Sequence, residues 1–159
     1  MSRILIAEDE ADICSLLRCI LEEDGHEVRE TYDGVECLAA LPAFEPDLLL
    51  LNLLMPRMDG FSVCRRLRDN PLYAALPVIL TTACAEERIS PTASQLGISA
   101  VLIKPFDPRE LKAVVTQALC AIFQESRQEA FRLFRRFLGA VRAGRHAHAL
   151  ILGARIPME

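Results

Sequence analysis

Short apolar runs alternate with stretches of helical periodicity along the first three quarters of the chain. Ile4-Leu5-Ile6-Ala7 is continuously apolar and predicts a buried strand. Ile13, Leu16, Leu17, Ile20 and Leu21 then recur at helical spacing, and Asp24-Gly25 supplies the stop. A weaker strand is expected around Val28. Asp33 with Glu36 three residues on has the form of a helix N-cap with an acidic third position. Pro46 precedes the apolar strand 47–51. Residues 60–68 read as a helix with Phe61, Cys64 and Leu67 on one face, and Pro77 introduces a strand over 78–82. A helical region interrupted by Pro91 follows, then a fifth strand over 100–103. Asp107-Pro108-Arg109-Glu110 gives N-cap, first-turn proline and acid. The helix it opens turns Leu111, Val114, Val115, Ala118, Leu119 and Ile122 inward.

Five strands, each followed by a helix, are therefore expected. Strands that are apolar throughout, rather than alternating, are buried on both faces. The fold class is α/β: a five-stranded parallel sheet with helices on both faces, of (βα)5 form, with a C-terminal helical extension. Such sheets bind ligands beyond the carboxyl ends of their strands. Glu8 and Asp9 follow the first strand, Asn52 ends the third, Thr82 ends the fourth, and Lys104-Pro105-Phe106 follows the fifth. Carboxylates with a carbonyl and water suit a hard cation such as Mg²⁺. A hydroxyl and an ammonium beside them suit a phosphoryl group. Any one of these is an ordinary polar residue at a strand end; five at one edge point to a site.

The stretch from residue 3 to about 122 resembles the receiver domain of bacterial two-component response regulators. The matching segments are Ile4-Leu5-Ile6-Ala7-Glu8-Asp9-Glu10, Pro46 through Asn52 to Met55-Pro56-Arg57-Met58-Asp59-Gly60, Pro77 through Thr81-Thr82-Ala83, and Lys104-Pro105-Phe106. The resemblance implies a doubly wound sheet of the flavodoxin-like type, in which Glu8, Asp9 and the Leu54 carbonyl hold Mg²⁺ and the Asn52 oxygen is a further, uncharged ligand. It implies that Thr82 and Lys104 contact the phosphoryl group, with Thr81 the lesser match for the hydroxyl. It also places Pro105 after a peptide that is usually cis.

Two positions depart from that pattern. The family accepts phosphate on an aspartate at the end of strand three, and here the residue is Asn52. An amide oxygen is neutral and a poor nucleophile, so acyl-phosphate formation is expected to be lost. Mg²⁺ binding is expected to weaken, because one of three acidic ligands becomes an amide. Val101 stands where the family usually has Tyr or Phe, so no large ring is present to swing between buried and exposed states. The expected function is an atypical receiver that signals through protein–protein contacts without phosphorylation at Asn52. Two alternatives stay open: a conventional phospho-accepting receiver whose acceptor Asp was replaced by Asn52, and a dimerising scaffold module. The expected partners are a sensor histidine kinase or phosphorelay protein and a downstream protein target. The chain is not expected to be an enzyme, since a phosphohydrolase of this fold needs a carboxylate nucleophile at residue 52.

Composition refines this picture at the C-terminal end. The net charge is −4, but residues 1–124 hold 11 Lys+Arg against 19 Asp+Glu, net −8, and residues 125–159 hold 7 Arg against 3 Glu, net +4. The expected division is a receiver over 1–122 and a basic amphipathic helical tail over 123–159. In the tail, Ala130, Phe131, Phe134, Phe137, Leu138 and Val141 recur at helical spacing among arginines. Packing on the receiver, or a homodimer through the fifth helix and the tail, is the leading account of its apolar face. Membrane contact by the tail is a lesser one. The acidic receiver and the lack of a helix-turn-helix pattern lead to no nucleic-acid partner being expected. Six cysteines without C-x-x-C spacing read as core residues in a reducing compartment. His26, His146 and His148 carry no metal-ligand spacing. Acidic residues from Glu8 onward leave no room for a signal peptide, and a cytoplasmic location is expected.

Overall fold

The computed structural model describes residues 1–83 and 86–121, together with 124 and 132, and for 86–90 the backbone alone. The elements are β1 (Arg3–Ala7), α1 (Ala11–Glu23), β2 (Glu27–Thr31), α2 (Gly34–Phe44), β3 (Leu48–Asn52), α3 (Gly60–Asp69), β4 (Val78–Thr82), α4 (Glu86–Gln95) and β5 (Ala100–Ile103). Residues 108–121 form a further helix, α5. The chain divides into two units, Met1–Cys120 and Ala121–Glu159, and every candidate site residue lies in the first. Apart from 124 and 132, the tail residues expected to form a basic amphipathic helix lie outside the described residues, as do Ile122, Cys84, His146 and His148.

All strand pairs are parallel, in the order β2-β1-β3-β4-β5. The central strands β3 and β4 are buried at every position, whereas the edge strand β2 alternates. Burial on two faces requires the run of leucines at 48–51, each 0–1% exposed. One face of the sheet packs Leu5, Leu49, Leu51, Val78 and Leu80 against Cys37, Leu41, Val63, Cys64 and Leu67 of α2 and α3. The strand order reverses between β1 and β3, and this is the crevice in which such sheets place their sites.

Most helix boundaries follow from capping. Asp33 accepts hydrogen bonds from the N–H groups of Val35 and Glu36 at the start of α2. Glu36 reaches back to the Tyr32 N–H at 3.0 Å, one residue earlier than the N-cap. Asp59 caps α3 through the Ser62 N–H and hydroxyl. Asp107 accepts from the Arg109 N–H ahead of α5, whose Leu111, Val115, Ala118 and Leu119 are buried as the periodicity predicts.

Three local expectations change. Val63 rather than Phe61 occupies the buried face of α3 with Cys64 and Leu67, and Phe61 is half-buried. Pro91 lies inside α4 instead of interrupting it: its ring forgoes one N–H bond, and the flanking turns carry the helix through. Cys14, Cys37 and Cys64 are core residues, but Cys19 and Cys120 are exposed. All five are free thiols. Among the described residues no helix is long and apolar enough to cross a membrane.

Candidate functional site

The carboxyl ends of β1, β3 and β5 bring Glu8, Asp9, Asn52, Leu54 and Lys104 into one hydrogen-bonded group. Glu8 directly follows β1 and is 1% exposed. Its Oε2 accepts from Lys104 Nζ at 2.7 Å, and its Oε1 accepts from Asn52 Nδ2 at 3.1 Å. Asn52, the last residue of β3, donates from the same nitrogen to Asp9 Oδ1 at 2.8 Å and to the Leu54 carbonyl at 3.0 Å. Asp9 is exposed, and so is the Leu54 side chain, which leaves only its carbonyl inside the group. The Lys104–Pro105 peptide is cis.

Burial raises the Glu8 carboxyl above its ordinary pKa. The hydrogen bond and charge of Lys104 and the Glu10 backbone N–H pull the other way. Desolvation disfavours the charged form of any carboxylate, and the lysine returns part of that cost through a short, largely shielded ion pair.

Thr82 and Val101 are placed by strand register. Thr81 is the rung partner of Asn52, while Thr82 pairs with Ile103 and Val101 with Leu80. Alternation along the pleat therefore puts Thr82 on the face shared with Val101 and Ile103, and Thr81 on the other. Both threonines are 1% exposed. The Thr82 carbonyl accepts from the Lys104 N–H at 2.7 Å, which fixes where the lysine leaves the sheet. Val101 is half-buried and packs on the α2–α3 side of the core.

Gly60 lets α3 start against this group. A Cβ there would stand 2.7 Å from the Asn52 carbonyl oxygen and 3.1 Å from Leu53 Cα. The Gly60 N–H donates to the Leu53 carbonyl at 2.8 Å, so the helix start pins the chain directly after Asn52.

Two carboxylates and a carbonyl are suitable hard oxygen ligands for a divalent cation. The group between them is Asn52 Nδ2, a hydrogen-bond donor with no lone pair for a metal. As the side chains stand, this arrangement does not fit Mg²⁺.

Two features escape sequence reasoning. Arg57 pairs with buried Asp33 and lies 3.5 Å from Glu36, joining the β3–α3 loop to the start of α2. Arg68 on α3 donates to the carbonyls of Leu96, Ala74, Leu76 and Gly97 at 2.8–3.1 Å, and to that of Tyr73 at 3.4 Å. Backbone carbonyls leave no sequence signature, so the Arg68 partners could not be read in advance, and the Arg57 carboxylates lie 24 and 21 residues away, where no local pattern links them.

The model of the response regulator receiver domain matches residues 4–116. The chain is 37% identical over 119 residues to the DNA-binding dual master transcriptional regulator RpaA of Synechocystis sp., covering 75% of this chain and 49% of that protein. It is 37% identical over 117 residues to the alkaline phosphatase synthesis transcriptional regulatory protein PhoP of Bacillus subtilis, covering 74% and 48%. Among solved structures it resembles the receiver domain of a signal transduction histidine kinase from Syntrophus aciditrophicus, at 32% identity and TM-score 0.71, covering 77% of this chain and 92% of that one. A CheY-like receiver domain protein from Methanospirillum hungatei JF-1 matches at 27% identity and TM-score 0.73, covering 79% and 98%. The chain spans about half the length of the curated relatives it matches. The expected absence of a nucleic-acid partner finds no support in these names, since RpaA is described as DNA-binding; the part in common is the receiver. The doubly wound sheet, the strand-end cluster and the match over residues 4–116 together place this chain in the response regulator receiver domain family of two-component signalling.

Proposed function

We propose that this receiver signals through protein–protein contacts, with Asn52 standing at the phospho-acceptor position and taking no phosphoryl group. One observation carries the reading: the side chain at the end of β3 is a neutral amide whose nitrogen donates to Glu8, Asp9 and the Leu54 carbonyl. Phosphoryl transfer to a receiver needs a free carboxylate oxygen at that point, and the amide offers none. Thr82 and Lys104 then have no phosphoryl group to contact. Lys104 instead serves as the counter-charge of Glu8. In this reading the chain is a signalling module and not an enzyme, and bound Mg²⁺ is at most weakly held. Its partners are a sensor histidine kinase or phosphorelay protein and a downstream protein target. A homodimer through α5 and the tail is a further part of the proposal.

A second reading has its own support. Glu8, Asp9 and Lys104 are assembled around residue 52 with ordinary hydrogen-bond geometry. This favours a conventional receiver whose acceptor Asp was replaced by Asn52. Val101, which lacks the ring of a conventional switch residue, speaks for the first reading. Incubation with acetyl phosphate and Mg²⁺, read by intact mass, tests the proposal. An unmodified protein is expected, and a phosphoryl group on residue 52 would overturn it.

A further inference from the structure

Oxygens from three places in the chain meet at one nitrogen. Glu8 Oε1, Asp9 Oδ1 and the Leu54 carbonyl lie 3.1, 2.8 and 3.0 Å from Asn52 Nδ2. A carboxylate or carbonyl oxygen accepts and does not donate. Three acceptors converging on one point repel each other unless a donor or a cation fills that point. The orientation of the amide follows from the same chemistry, because its oxygen turned inward would face three acceptors and no donor.

The buried carboxylate also has its counter-charge without an added ion. Glu8 is buried, and its second oxygen is held by Lys104 at 2.7 Å. Asp9 is exposed, so water solvates the charge that remains. The buried part of the cluster is thus one carboxylate, one ammonium and one neutral amide. An aspartate at residue 52 would place a second carboxylate against Glu8 and take the amide donor away from all three oxygens.

We propose that the Asn52 carboxamide takes the place of a divalent cation, so that the donor the strand-end oxygens need is supplied by the chain itself and the pocket does not depend on a metal. The proposal rests on the reading that residue 52 takes no phosphoryl group, and adds what the amide does in that role. Admitting Mg²⁺ would require the amide to rotate and withdraw the two N–H protons that the three oxygens share.

The test compares the full chain with its Asn52→Asp variant by thermal unfolding, in EDTA and in MgCl2 at matched ionic strength. The wild-type Tm is expected to stay constant to within about 1 °C up to about 10 mM MgCl2, because a ligand that does not bind shifts nothing. The variant is expected to melt lower in EDTA and to regain stability saturably with MgCl2. A saturable rise of the wild-type Tm matching that of the variant would overturn the proposal, as would a variant as insensitive to Mg²⁺ as the wild type. If the variant does not fold, the side-chain ¹⁵N–¹H signals of wild-type Asn52 decide during an MgCl2 titration. Unchanged signals support the substitution of amide for cation, and saturable shifts refute it. Acetyl phosphate labelling of the wild type at residue 52 would instead defeat the underlying reading, whatever the response to Mg²⁺.

Discussion

Lys104 Nζ lies 2.7 Å from Glu8 Oε2, joining residues 96 apart in the chain and tying the end of β5 to the end of β1. The two strands are not neighbours in the sheet, since β3 and β4 lie between them. The bond therefore spans the whole crevice in which Asn52 sits. Lys104→Met would leave Glu8 buried without its counter-charge. A loss of about 2–4 kcal/mol is expected in urea unfolding, somewhat below the cost of breaking a fully buried pair because Lys104 retains 18% exposure. The double variant Glu8→Gln with Lys104→Met should be closer to wild type than the two single losses summed. Additive losses would mean that the two groups are not coupled.

Arg68 is expected to matter for stability more than its half-buried position on α3 suggests. It holds the carbonyls of Ala74 and Leu76 ahead of β4 and those of Leu96 and Gly97 ahead of β5. Arg68→Ala should cost about 2–3 kcal/mol, since several carbonyls lose a charged donor at once. Lysine should restore only part of this, because a point charge cannot reproduce the planar fork. Chemical denaturation of the three proteins decides, and full rescue by lysine would count against the network.

Gly60→Ala tests the close approach of α3 to the site. Its Cβ would meet the Asn52 carbonyl oxygen at 2.7 Å, and both neighbours are backbone, which yields less readily than a side chain. A destabilisation of roughly 1–3 kcal/mol is expected despite alanine's better helix propensity. Backbone amide shifts around residues 52–54 should move with it. A neutral or stabilising substitution would show that the approach is looser than described.

The buried thiols set an alkaline limit on stability. Burial pushes Cys14 and Cys37 up to about 12 and Cys64 to about 11, from an ordinary value of 9.0. The folded protein thus holds protons on these groups that the unfolded chain releases. Stability is fully present below pH 9 and falls as pH rises through the folded values, between about 9 and 12. Thiol labelling at pH 8 should modify Cys19 and Cys120 readily and leave Cys14, Cys37 and Cys64 untouched until unfolding. Equal labelling of Cys14 and Cys19 in the folded protein would contradict the burial assignment.

What the sequence made legible was local or periodic. The leucines of β3, the proline before β4 and the Asp107-Pro108 start of α5 each act on the neighbouring backbone, and the structure has them as expected. The convergence of Glu8, Asp9, Asn52 and Lys104 was also legible, because a parallel sheet brings all its carboxyl ends to one edge. The direction of the Asn52 amide was not. Composition gives an amide both a donor and an acceptor end, and only the three surrounding oxygens select between them. The exposure of Cys19 on α1 and of Cys120 on α5 was missed because an apolar neighbourhood in sequence is not the same as a buried helix face. Val63 displaced Phe61 from the inner face of α3 for a similar reason. Residues two positions apart on a helix point in widely different directions, so Val63 takes the centre of that face beside Gly34, whose own Cβ would stand 2.6 Å from Val63 Cγ2, and Phe61 packs on the core from its flank, half-buried.

The central claim is that residue 52 carries no phosphoryl group because its side chain is an amide, while the surrounding pocket is otherwise assembled. The most direct measurement is intact mass with peptide mapping of the wild type and the Asn52→Asp variant, side by side, after acetyl phosphate and Mg²⁺. The account predicts an unmodified wild type and a variant that gains one phosphoryl group at residue 52, released by hydroxylamine as an acyl phosphate would be. A wild type that gains the same group at residue 52 would contradict it.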